Sequence, residues 1–177
     1  MLFRSPVVAR NGGRDSNVTN DDHFALYLAT SGSAYLEIAV NTVGALRDAR
    51  ATGPRYQRST AWNANIDVIT DIRYRHWIAR IDIPLAECAA ALGETGVPSQ
   101  WRVVLVRHRA ARPGDVAETA SLPTLDGAGF SGPIRYRRLT LSDAAPAAVA
   151  VPRTPAPDST LDPHVWTSSE RRRPLGR

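Results

Sequence analysis

Three sets of side chains in this sequence carry groups able to do chemistry. The first is the adjacent pair Asp21 and Asp22, which opens the stretch "DDHFALYL". A glycosidase needs its two carboxylates on separate elements, about 5 to 9 Å apart, whereas neighbours at a strand start point to opposite faces. The pair therefore reads as hydrogen-bonding or turn-capping groups at a sheet edge, or as a share in a calcium or sugar site. The second set is Tyr35, Glu37 and Asn41 in "YLEIAVN". Their spacing of two and four puts them on one face of a strand. Such a row of donors and acceptors suits sugar hydroxyls, and the alternative is an ordinary solvated strand face. The third set is basic: Arg102, Arg107 and Arg109 with His108, and Arg135, Arg137 and Arg138. Guanidinium forks match the carboxylates of acidic glycans. Alternatively these charges form a solvated face or pair with the sheet's own Asp and Glu.

Among the tryptophans, Trp62 in "STAWNAN" sits between polar neighbours. It is the candidate stacking platform for a sugar ring, or else a plug at the edge of the core. Trp77 and Trp101 alternate with small or branched apolar residues and read as core. His23, His76, His108 and His164 are dispersed, with no i, i+4 pair and no companion cysteine, which argues against a transition-metal site. No G-x-S-x-G elbow, P-loop or dinucleotide fingerprint occurs. No nucleophile comes with a base, so the chain reads as non-catalytic on its own.

The elements that must position these groups are strands. From Phe24 onward the apolar residues fall into short period-two runs separated by turn residues, the pattern of an all-β, antiparallel β-sandwich. "HFALYLAT" and "AYLEIAVN" are expected to pair through the turn "SGS". Thr42 to Gly44 turns into a further short strand, followed by a polar loop from Ala51 to Ser59. "ANIDVITDI", "HWIARIDIP", "QWRVVLVRHR" and "IRYRRLTL" supply the remaining strands. Pro84 ends one of them, and "LAECAAALG" is one or two helical turns stopped by Gly93. The expected organisation is a leader over 1–19, a sandwich over 20–142, and a disordered Pro/Ala/Arg-rich tail over 143–177 that holds Trp166.

Composition bounds the partners. The 177 residues suffice for one domain with a core. The net charge of +5 comes from 22 basic residues that are all arginine, a bias expected of a GC-rich genome. Such a charge is weak support for a polyanion partner, and nucleic acid would also need interleaved exposed aromatics. One cysteine, Cys88, excludes an internal disulfide framework. No run has the length of a membrane helix, and the first residues lack the apolar core of a signal peptide. A location outside the cytoplasm would require an export signal upstream of Met1.

Five local signatures occur in a shared order between Asn20 and Leu141: "DDHFALYL", "YLEIAVNTVG", "HWIARIDIP", "WRVVLVRHR" and "FSGPIRYRRLTL". With them the chain resembles the family 9 carbohydrate-binding modules and their DOMON-like relatives. The resemblance implies a β-sandwich that binds a polysaccharide or oligosaccharide without catalysis, beside glycoside hydrolases in carbohydrate catabolism. The chain departs from the family twice. Members carry two or three further strands before the acidic pair, where only about twenty residues stand here. Xylan- and cellulose-binding members also clamp the sugar between two tryptophans, and "GGRDSNVTNDD" and "SLPTLDGAGFSG" contain none. The expected sugar-facing set is Tyr35, Glu37, Asn41, Trp62 and Arg107. No cofactor is expected beyond a structural calcium at Asp21 and Asp22. The alternatives are a sandwich that has lost its ligand, or an accessory fragment of a hydrolase.

Overall fold

The computed structural model describes residues 7–53, 55–73, 76–125 and 132–142. The chain divides into two units after Ser142, and the architecture below is that of the first. The expected tail over 143–177, with Trp166, lies outside the described residues.

The period-two runs form strands β1 (His23–Ala29), β2 (Tyr35–Asn41), β3 (Leu46–Thr52), β4 (Gln57–Ser59), β5 (Asp67–Ile72), β6 (Trp77–Asp82), β7 (Gln100–Arg109), β8 (Glu118–Leu122) and β9 (Arg137–Thr140), with one helix, α1 (Leu85–Ala91). Seven strands make the main sheet, ordered β4-β3-β2-β1-β7-β8. Strand β9 shares the outer edge of β7 with β8, pairing Gln100–Val103 while β8 pairs Leu105–Arg109. Strands β5 and β6 form a separate two-stranded sheet. All these pairings are antiparallel. Among the described residues the first unit is an all-β sandwich with one short α-helix.

Alternation assigns each strand residue to a face. Leu28, Leu36, Ile38, Val40, Leu46 and Trp101 point to one side, where they pack with Ile66, Val68, Ile81, Ile83, Cys88 and Ala89 from the β5–β6 layer and α1. Trp101 is 1% exposed. Its indole N–H donates to the Pro98 carbonyl at 2.9 Å, which satisfies the one polar atom that burial would otherwise strand. The other side gathers Ala25, Tyr27, Ala29, Tyr35, Ala39, Ala51, Val104, Val106 and Tyr136, with Val18 from the leader and half-buried Tyr56 and Leu125 against them. Strand β2 is covered on both sides, and all seven of its residues are buried.

The leader is bound to the sheet as part of the fold. Strand β4 pairs only the Arg50–Thr52 end of β3. The rest of that edge is met by Asp15, whose N–H donates to Leu46 O at 2.9 Å and whose carboxylate accepts from the Asp48 N–H at 3.3 Å. Covering an open edge in this way removes a site for unwanted strand pairing. The turn between β2 and β3 needs Gly44, with φ of +81°, because other residues pay for that conformation. A Cβ there would also meet Thr70 Oγ1 at 3.4 Å. Helix α1 ends on Gly93 at φ +88°, and the Glu94 N–H reaches back to Ala89 O at 3.0 Å, a left-handed glycine stop.

Candidate functional site

The acidic pair binds the leader and the end of β7. Asp21 accepts from the backbone N–H groups of Arg10 and Asn11 at 3.0 Å each, from Asn11 Nδ2 at 3.2 Å and from Asn41 Nδ2 at 2.9 Å. Burial works to raise its carboxyl pKa, but these donors outweigh it and hold the group below its ordinary value. Asp22 accepts from the Val8 and Ala110 N–H groups at 3.1 and 2.8 Å and from the Arg112 guanidinium. Donors of this kind suit carboxylates and repel a cation. Among the described residues, no group of three or more His, Cys, Asp or Glu side chains is placed to hold a metal ion.

Tyr35, Glu37 and Asn41 share a face as expected, but the structure places them inside. They are 0%, 1% and 0% exposed, because the leader and the closing segment cover that face of β2. Glu37 Oε1 accepts from Arg47 at 2.5 Å. Its Oε2 lies 3.1 Å from Arg58 Nε, yet that N–H is directed at Tyr35 Oη. Glu37 Oε2 is thus left near a cation without a hydrogen bond. Asn41 donates to Asn11 O and Asp21, and accepts from the Val43 and Ala45 N–H groups at 3.2 and 2.9 Å, so it closes the β2–β3 turn. The row is an internal polar network, and sequence reading did not foresee this because a polar strand face usually lies in water.

Trp62 is half-buried against the core beneath the second layer. The basic strand end divides. Arg109 is held by Asp115 at 2.6 Å and Glu118 at 3.3 Å. His108 sits 4.9 Å from His23, ring centre to ring centre. Arg107 is exposed and has no hydrogen bond or ion pair among the described residues.

Arg107 stands at an open groove of about 530 Å³ between the main sheet and β6. Phe24 and Leu26 of β1 line it from one side, and Trp77, Ala79 and Ile81 of β6 from the other, continuing to Ile83. His76 and Arg107 are its polar groups. Trp77, expected in the core, is half-buried and lines this groove instead. The second layer is two strands wide above a seven-stranded sheet, and it covers Leu28 and Trp101 while leaving the groove open at Phe24 and Leu26 of β1 and Arg107 of β7. The size and the few polar groups are those of a small-molecule site. Sequence reading missed it because its walls come from three strands far apart in the chain. The one available signal was Trp77 and Arg107 on alternating strands.

Fold and groove together define a β-sandwich with an open, aromatic-lined recess. No family model and no curated protein matches the chain. In structure it is similar to a "putative carbohydrate-binding protein" from Bacteroides uniformis, with a TM-score of 0.56 and 15% identity, over 77% of this chain and 68% of that one. At that identity the likeness establishes the shared sandwich fold.

Proposed function

We propose that this chain is a non-catalytic carbohydrate-binding module of the family 9 and DOMON-like type, and that its sugar seat is the groove lined by Phe24, Leu26, Trp77 and Ile81. The observation that carries the reading is an open groove that presents aromatic and aliphatic faces beside a few polar groups. Pyranose rings pack their C–H faces on such surfaces while their hydroxyls stay hydrated or meet the rim. The sandwich shared with the Bacteroides uniformis protein supports it.

In this reading Arg107 keeps its place in the sugar-facing set and Trp77 joins it. Tyr35, Glu37 and Asn41 act from the interior by fixing β2 and the leader, and Trp62 supports the second layer. Among the described residues the groove lining contains no Asp or Glu, so the two-carboxylate hydrolysis of glycosides finds no acid and base among them. The module would serve a glycoside hydrolase by holding it on its substrate, which raises the local concentration of the two.

Calorimetric titration with soluble xylan, glucan and pectic oligosaccharides tests the proposal, using the natural chain and Ala79→Phe. Ala79 faces the groove, so a phenyl ring there fills it without removing any core side chain. Saccharide binding lost in Ala79→Phe, with thermal unfolding still cooperative, is the expected result. Saccharide binding undiminished in that variant would place the site elsewhere.

A further inference from the structure

The groove is chemically lopsided. Among the described residues its walls are apolar, its charge comes from Arg107, with His76 beside it, and no carboxylate lines it. Arg107 pairs across the sheet with Phe24 on one side and Ala120 on the other, and neither side chain offers it an acceptor. The next arginine on the same strand face pattern, Arg109, has two carboxylates. An exposed arginine at the lip of an apolar recess is a fork suited to a planar anion.

We infer that the groove takes a carboxylate-bearing saccharide, a uronic acid unit of an acidic oligosaccharide, with its ring on Phe24 and Trp77 and its carboxylate on Arg107. This rests on the carbohydrate reading above and narrows it. Both parts of the ligand are needed: a neutral sugar leaves the guanidinium unused, and an inorganic anion leaves the aromatic faces unused. An alkanoate such as decanoate combines the same charge with an apolar body, so it must be compared directly.

The test is calorimetric titration of the full chain at pH 7 with trigalacturonate, with the same trisaccharide after reduction of its carboxyl groups, and with decanoate, on the natural protein, Arg107→Met and Arg107→Lys. A charge-assisted hydrogen bond predicts roughly tenfold or more tighter binding of the acidic trisaccharide than of the reduced one. Arg107→Met should erase that preference, so that the acidic and the reduced trisaccharide bind that variant equally, and Arg107→Lys should restore part of it. Because Arg107 is exposed and unpaired among the described residues, its replacement should leave the melting temperature unchanged. Equal affinity for the two trisaccharides would overturn the uronate assignment and leave the carbohydrate reading standing. A preference that survives in Arg107→Met would also overturn it. Binding of decanoate with no binding of either sugar, or binding of none of the three, would overturn both.

Discussion

Phe24 on β1 and Arg107 on β7 are direct partners across an antiparallel ladder, and both line the groove beneath β6. Opposed residues in such a ladder hold their Cβ atoms about 5 Å apart. Backbone pairing therefore sets side by side the positions of an aromatic ring and of a cation that has no partner among the described residues, with no loop involved.

One arginine contact gives a weak salt dependence. Raising sodium chloride from 50 to 200 mM should weaken binding of an acidic trisaccharide by no more than a few-fold (~2–5), because only one exposed ion pair is screened. Titrations at the two salt concentrations check this. A loss of a hundredfold or more would mean that several cations besides Arg107 meet the ligand.

Glu37 is a structural anion. Replacing it by Leu leaves Arg47, with 18% side-chain exposure, and Arg58 facing a buried face without their carboxylate. Breaking a buried ion pair from one side costs about 3 kcal/mol, and that loss should appear in urea denaturation. Glycan affinity measured well below the new midpoint should be unchanged, because Glu37 is 1% exposed. Lost affinity in a folded Glu37→Leu would mean that this row reads sugar after all.

Acid should weaken the fold through the histidine pair. Burial holds His23 below its ordinary value of 6.5; His108 adds to the effect, while the Asp21 carbonyl works against it by accepting from Nδ1. Burial lowers His108 as well. The folded state thus favours neutral imidazoles, and the unfolded chain takes up protons first. Their contribution to stability is full above pH 6.5 and is lost as pH falls through the lowered folded values. Melting temperatures should fall from pH 7.5 to pH 5.5, and His23→Gln should flatten that slope. A melt independent of pH across this window would contradict the pairing.

Cys88 is fully buried beneath the second layer. Burial first, then the charges of Glu87 and Asp48, push its thiol up to about 11. Since the thiolate is the reactive species, a disulfide reagent at pH 8 should react with the folded chain at least about a hundredfold more slowly than with the chain in guanidinium. Comparable rates would mean that α1 opens readily.

Much of the fold was legible in the sequence because the alternation is strong. The opposite faces of Leu36, Ile38, Val40 and of Tyr35, Glu37, Ala39 are found as read, and so are the Gly44 turn and the Gly93 helix stop. Strands β4 and β8 were not foreseen. "QRS" and "ETASL" are short and polar, and they become strands only because β3 and β7 offer them an edge. The candidate site was less legible. A polar row such as Tyr35-Glu37-Asn41 looks the same whether water or packed side chains cover it, and what covers it here is the leader, tied down by Asp21 and Asp22, together with the closing segment at Tyr136. The groove depends on how far the second sheet reaches over the first, which no local pattern encodes.

The most direct test of the central claim is two-dimensional NMR of the labelled chain titrated with an acidic oligosaccharide. Binding in the groove should shift the Trp77 indole N–H and the amides of Phe24, Leu26, Ile81 and Arg107 together and leave Tyr35, Glu37 and Asn41 unmoved. Shifts centred on Trp62 or on the Tyr35 row, with the groove silent, would contradict it.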